Sequence, residues 1–195
     1  MIIGITGGTG CGKTTLLDVL QEHGYTVLDM DAIYHELLQT DTQLLADIEA
    51  RFPGTVENGQ LQRKKLGAIV FKDKQEMAAL SKITGSAIRK EVMRRLEANP
   101  QRVAMDAIGL LEGGYDKLCK LTIAVTAPDD IRLQRIMARD GITEEYARTR
   151  IQAQKPQSFY TERCDYTLVN DSTREKFRRE CLAFFRRLGI IEENA

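Results

Sequence analysis

An α/β fold with a five-stranded parallel sheet flanked by helices is predicted by three observations. Five short β-rich runs, Met1–Ile5, Tyr25–Asp29, Arg102–Asp106, Leu121–Thr126 and Asp165–Val169, alternate with helical stretches, which is the pattern of parallel strands joined by helices. The first run leads into Gly7-Gly8-Thr9-Gly10-Cys11-Gly12-Lys13-Thr14, which fits G-x-x-x-x-G-K-[ST] without a mismatch. A strand before this segment and a helix after it mark a phosphate-binding P-loop rather than a chance match. Between the second and third runs lies a long helical stretch, roughly residues 31–99. The fold expected is therefore that of a P-loop NTPase carrying a helical substrate-binding insert and a lid. A single domain spans residues 1–195, with a core of 1–30 and 100–195, an insert of about 31–99 and a lid of about 139–163.

The helix after the loop, Thr14 to Glu22, spaces Leu16, Leu17 and Leu20 to pack on a sheet. Glycines let the loop backbone turn its N–H groups toward a triphosphate, and the helix N-terminus adds a favourable partial charge. Lys13 is placed to reach the β- and γ-phosphates and the Thr14 hydroxyl to ligate Mg²⁺. The second strand ends in Asp29-Met30-Asp31, where this architecture puts its substrates. A carboxylate there accepts a hydroxyl proton or helps to order Mg²⁺. Asp31 is read in that way, whereas Asp29 is read as a cap or support for the next helix. His35, one turn later, is left unassigned.

In the insert, Leu66, Ile69 and Val70, then Met77, Leu80, Ile83, Ile88 and Val92, recur at helical spacing, and Phe52-Pro53-Gly54 marks a turn. Val103-Ala104-Met105-Asp106 has the form of a Walker B strand, and Glu112 follows at the rim. Asp106-Ala107-Ile108-Gly109 also reads as D-x-x-G, but the guanine-reading N-K-x-D is absent. A helix from Asp129 to Arg139, starting after Ala127-Pro128 and stopped by Gly141, carries Arg132, Arg135 and Arg139 near one face. Two readings of that face stay open: a lid that neutralises the transferring phosphoryl group, or a solvated surface paired with Asp129, Asp130 or Asp140. Thr143-Glu144-Glu145 opens the next helix, which runs to near Gln154, and Phe177, Cys181, Phe184 and Phe185 form a core stripe on the last. Cys11 lies in the loop beside a helix N-terminus, a setting that lowers a thiol pKa. Its oxidation is a candidate block on nucleotide binding, against the plainer role of a small space-filling residue.

Composition narrows the function classes. The 28 Lys and Arg balance 28 Asp and Glu, so no global basic field for nucleic acid exists. No apolar run approaches a membrane span, and with a strand opening the sequence no leader is expected. The four cysteines lack C-x-x-C pairing, and with two histidines they make a zinc site a poor fit. A cytoplasmic protein acting on a small molecule, without nucleic acid or membrane partners, is expected.

Several segments together resemble the dephospho-CoA kinase family. They are the loop Ile5–Thr14, Val27-Leu28-Asp29-Met30-Asp31 with Ile33, His35, Leu37 and Leu38, and Gly59-Gln60-Leu61-Gln62-Arg63-Lys64-Lys65-Leu66 with Ile69-Val70-Phe71. Further along come Leu110-Leu111-Glu112, Gln134-Arg135, Arg139-Asp140-Gly141, Arg150-Ile151 with Gln154, and Cys164-Asp165-Tyr166 with Val169-Asn170. The resemblance runs in register over nearly the whole chain. It implies transfer of the ATP γ-phosphoryl group to the ribose 3′-hydroxyl of dephospho-CoA, with Mg²⁺. It further implies that Gly8, Thr9, Gly10, Cys11, Gly12, Lys13, Thr14 and Thr15 cradle ATP with Asn170 near the adenine. Thr14 would hold the metal, Asp31 would be the base, Arg139 would come from the lid, and Arg63 and Glu112 would lie by the acceptor. A monomer or weak oligomer is expected. The chain departs from the family at Thr84-Gly85-Ser86-Ala87-Ile88, where His-Pro is usual, and at Ile108 in place of a proline. Gln157 and Tyr160 stand where basic residues are common.

Overall fold

The computed structural model describes residues 1–98 and 101–192. The chain divides into two compact units, Met1–Leu28 with Pro100–Ala195, and Asp29–Asn99. In the first, strands β1 (Ile2–Thr6), β2 (Thr26–Asp29), β5 (Val103–Asp106), β6 (Leu121–Thr126) and β7 (Tyr166–Val169) form one sheet in the order β2-β5-β1-β6-β7. β1 is central, with Ile5 opposite Asp106 of β5 on one side and Ile123 of β6 on the other, both pairings parallel. The chain leaves β1 for one side of the sheet and later crosses to the other. This topological switch point, at the carboxyl end of β1, is where open α/β sheets bind ligands.

Apolar strands need apolar helix faces. Leu16, Leu17 and Leu20 of α1 (Lys13–Glu22) are buried against Ile3, Ile5, Ile123 and Val125. On α9 (Arg174–Arg187) the stripe Phe177, Cys181, Phe184 and Phe185 joins the same core. α6 (Asp129–Asp140) starts after Pro128 and ends at Gly141, whose φ of 64° is the left-handed turn that terminates helices. α7 (Glu144–Gln152) is capped by the Thr143 hydroxyl, which accepts from Tyr146 N, and packs Ala147 against Leu133 and Ile136. A short helix not marked in the sequence, α8 (Gln157–Thr161), follows.

The second unit holds α2 (Met30–Thr40), α3 (Thr42–Arg51), α4 (Arg63–Val70) and α5 (Lys74–Ala98). It also holds a two-stranded antiparallel hairpin, β3 (Val56–Glu57) with β4 (Gln60–Leu61), which the helical periodicity did not reveal. Two-residue strands carry no readable alternation, and the turn Asn58-Gly59 has both φ angles positive, 52° and 73°. α5 runs unbroken through Thr84-Gly85-Ser86, the stretch lacking His-Pro, with the Thr84 hydroxyl donating to Leu80 O. Only Val92 and Leu96 of α5 are buried; Met77, Leu80, Ile83 and Ile88 are half-buried, and Ile69 of α4 is exposed. No helix among the described residues is long and apolar enough to cross a membrane.

Candidate active site

The phosphate loop leaves β1 at Thr6 and enters α1 at Lys13. Gly7 has a φ of 139°, and a Cβ there would lie 2.1 Å from the main-chain oxygen of Val125. Gly12 is the N-cap of α1 in the left-handed region, φ 87°, and a Cβ there would lie 2.1 Å from Asn170 Nδ2. Strand β6 and Asn170 therefore press on the back of the loop where a side chain would otherwise stand. Among the described residues no side chain caps α1, and Thr15 N donates to Gly12 O at 3.2 Å. The other N–H groups at this helix start, which the helix itself does not satisfy, suit an anion. Lys13 Nζ donates to Gly7 O at 2.9 Å and so lies across the loop. Thr14 is exposed, while Thr9 and Thr15 are buried.

The three α6 arginines separate in the structure. Arg132 is 3% exposed. Its Nε donates to Thr9 O at 3.0 Å, its Nη1 to Asp129 Oδ1 at 3.0 Å and its Nη2 to Gln154 Oε1 at 3.3 Å. Gln154 Oε1 also accepts from Thr9 N at 2.9 Å. Arg135 donates to Asn170 Oδ1, Asn170 O and Ser172 O. Asn170, 3% exposed, in turn donates from Nδ2 to Cys11 O at 2.9 Å. The side chain expected near adenine is thus spent on the loop backbone. Arg139 alone stays largely in solvent, forked on Asp140 at 2.7 and 3.0 Å, with Nη2 3.5 Å from Thr9 Oγ1. Hydrogen bonds from Arg139 and then Arg150 hold the Asp140 carboxyl down at about 2. The face therefore divides: Arg132 and Arg135 are internal fastenings, which neither reading gave, and Arg139 is exposed and paired with Asp140, as the solvated reading has it.

Cys11 is fully buried. Burial pushes its thiol up, and this outweighs the attraction of Arg132 and Lys13 for a thiolate. The expectation of a lowered thiol pKa is therefore overturned: no water reaches the sulfur to solvate a thiolate. Glu112 is exposed after β5. The proline position taken by Ile108 contributes its main-chain oxygen, which accepts from the Thr6 hydroxyl at 3.0 Å. Tyr160, which stands where basic residues are common in the family, is buried, and among the described residues its hydroxyl has no partner. Burial first, then the charges of Glu112 and Cys11, push that phenol up. Asp106 closes β5 beside Ile5 of β1. Among the described residues no group of three or more His, Cys, Asp or Glu side chains is arranged to hold a metal.

In the other unit, Asp29 caps α2, its Oδ1 accepting from Asp31 N at 2.8 Å and Ala32 N at 3.0 Å. This fixes the first turn and leaves the Asp31 side chain exposed just beyond β2. Arg63, first residue of α4, lies with Nη2 3.3 Å from His35 Nδ1. Both border an apolar cavity of about 380 Å³ whose lining includes Tyr34, Leu66, Met77 and Leu80, with Phe71 at its edge and 82% exposed. Sequence reading did not find this cavity, because the half-buried face of α5 that lines it has the same spacing as a core stripe.

The family model for dephospho-CoA kinase matches residues 1–176. A dephospho-CoA kinase of Geobacillus kaustophilus is 35% identical over 99% of this chain and 99% of its own length. A crystal structure from Thermus thermophilus, 31% identical, superposes with a TM-score of 0.81 over 96% of this chain and 97% of its own. The dephospho-CoA kinase of Campylobacter jejuni, 26% identical, gives 0.69 over 96% of each chain. Gly7 to Thr14 at the switch point, a sheet of these five strands and a match along almost all of the sequence agree, and the chain belongs to the dephospho-CoA kinase family.

Proposed function

We propose that the chain transfers the γ-phosphoryl group of ATP to the ribose 3′-hydroxyl of dephospho-CoA, with Asp31 as the base. The observation that carries this reading is the loop, which leads into an α1 with no side-chain cap among the described residues, in a chain whose residues 1–176 match the family model. The acceptor oxygen forms a bond to the γ-phosphorus as the bond from that phosphorus to the β-γ bridging oxygen breaks, leaving ADP. The hydroxyl proton goes to the Asp31 carboxylate, the capping role at the start of α2 being taken by Asp29. Lys13 exchanges Gly7 O for the β- and γ-phosphate oxygens, and Arg139 exchanges Asp140 for the transferring group. Both exchanges suit a loose transition state whose charge is spread over the phosphoryl oxygens. Gly8 to Thr15 cradle the phosphates, Asn170 acts from behind by holding Cys11, and Arg63 and Glu112 position the acceptor.

The residues present fit Mg²⁺. Thr14 offers an exposed hydroxyl and Asp106 a carboxylate at the end of the adjoining strand. Hard oxygen donors of this kind, one or two in number, suffice for a magnesium ion that shares phosphate oxygens. When bound, it neutralises charge on the β- and γ-phosphates. The balanced charge of the chain supports action without nucleic acid, and a small-molecule acceptor, a cytoplasmic location and a monomer or weak oligomer complete the proposed reading. The test is ADP release with Mg²⁺-ATP and a panel of acceptors. Turnover with dephospho-CoA far above that with simple nucleosides and small-molecule alcohols is expected, and equal turnover across the panel would refute the acceptor assignment.

A further inference from the structure

We infer that Arg132 and Gln154 are positioning residues that set the front half of the phosphate loop for ATP. The inference rests on reading the loop as the ATP site and is independent of the acceptor. Both main-chain groups of Thr9 are taken: its oxygen by Arg132 Nε at 3.0 Å and its N–H by Gln154 Oε1 at 2.9 Å. The two side chains are themselves joined, since Arg132 Nη2 donates to the same Gln154 oxygen at 3.3 Å. A closed ring of three contacts thus ties the loop to α6 and to Gln154, two residues past α7. The loop is moulded to this ring. A Cβ on Gly8 would lie 2.5 Å from Arg132 Nη2, and one on Gly10 would lie 2.8 Å from Arg132 O.

A buried arginine is an expensive filler, because its charge loses water. Here the one carboxylate partner among the described residues, Asp129, has a side chain 69% exposed while that of Arg132 is 4% exposed. The neutralising charge is therefore in solvent and the guanidinium stands behind the loop. The arrangement does two things a leucine would not. It holds a glycine-rich segment in one conformation before the ligand arrives, which removes an ordering cost from binding. It also places a fixed positive charge on the side of the loop away from the phosphates, where it attracts them without contact. Neither effect requires Arg132 to touch ATP. Asn170, backed by Arg135, does the same for the second half of the loop at Cys11.

The test is a set of variants, Arg132→Met, Arg132→Lys, Gln154→Leu and Gln154→Glu, each measured for Mg²⁺-ATP Kd, for the KM of both substrates, for kcat and for Tm. Arg132→Met and Gln154→Leu are expected to weaken ATP binding by about tenfold or more, with the acceptor KM unchanged and kcat at saturating ATP much less affected. Gln154→Glu keeps the acceptor for Thr9 N and Arg132 and is expected to recover most of the affinity. Arg132→Lys keeps the charge without the fork and is expected to fall between wild type and Arg132→Met. The double variant Arg132→Met with Gln154→Leu is expected to lose less than the two single losses combined, since each breaks the same ring. Unchanged ATP Kd in Gln154→Leu, or a loss that Gln154→Glu does not recover, would overturn the inference. So would a loss shared equally by the acceptor KM and matched by Tm. Should Arg132→Met fail to fold, Gln154→Leu and Gln154→Glu decide alone. Direct ATP binding keeps the test valid even for a chain that proved inactive on dephospho-CoA.

Discussion

At the scale of single residues, Asp29 and Asp31 show how two identical side chains two positions apart acquire different work. Asp29 is consumed by the helix N-terminus, where its Oδ1 accepts from two main-chain N–H groups. Asp31 lies inside the first turn and is exposed. On the proposed reading, replacing Asp31 by Asn removes the proton acceptor and little else. A fall in kcat of about 10²- to 10⁴-fold is expected, with Mg²⁺-ATP binding nearly unchanged by calorimetry; wild-type turnover in that variant would remove Asp31 from the base role. Cys11 carries the opposite lesson. Its place in the loop suggested a reactive thiol, but a fully buried sulfur whose pKa is pushed up by burial is inert. In the native protein a thiol reagent at neutral pH is expected to spare Cys11 and Cys181, which are buried, and to react only slowly with the half-buried Cys119, whose thiol burial pushes up to about 12, and Cys164, whose thiol burial also pushes up. Rapid loss of ATP binding in a Cys119→Ser, Cys164→Ser background would contradict this.

At the scale of elements, α6 was legible as a helix in both its ends and its arginine spacing, yet not in the division of labour along it. Periodicity states which side chains share a face; it does not state what that face packs against. Arg132 and Arg135 are buried or half-buried because the loop and the chain after β7 come up against them, a long-range fact. In α5 the ion pairs are local and partly readable. Glu91 accepts from Arg94 and from Arg95, and Arg95 reaches on to Glu36 of α2 at 2.6 Å. Hydrogen bonds from Arg94 first, then Arg95, hold the Glu91 carboxyl down at about 2. A carboxyl depressed in the folded state stabilises above its unfolded value of about 4.3 and loses that contribution as pH falls toward 2. Water around the two arginines limits the contribution to about 1 kcal/mol or less. Glu91→Gln is therefore expected to lower Tm at pH 7 by about 1–4 °C. The gap from wild type should narrow below about pH 4.5 and close near pH 2. A gap that is constant with pH would show that the charge is irrelevant.

At the scale of the whole molecule, ATP binding must appear in the stability of the unit that holds the loop. Ligand at 100 times its Kd stabilises a folded protein by about 2.7 kcal/mol, which for a chain of this length corresponds to a rise in Tm of about 5–10 °C. Lys13→Ala, measured by calorimetry at the same ATP concentration, is expected to lose most of that rise; retaining it would place the ligand elsewhere. The strands and the loop were read from the sequence because both are local: a strand needs a short β-rich run, and the loop needs glycines at fixed offsets before a lysine. The hairpin Val56–Leu61 was missed for lack of length, and the α5 cavity because a half-buried stripe has the periodicity of a buried one. What the sequence determined by itself was the fold class, the triphosphate loop and the family, since each resides in residue type and spacing along the chain. Only the tertiary structure decided that Asn170 and Arg132 hydrogen-bond the loop backbone, that of the three α6 arginines Arg139 is the exposed one, and that Cys11 is shut away. Burial and hydrogen-bond partnership are set by residues more than a hundred positions distant, such as Thr9 for Arg132 and Cys11 for Asn170, and no local pattern encodes them.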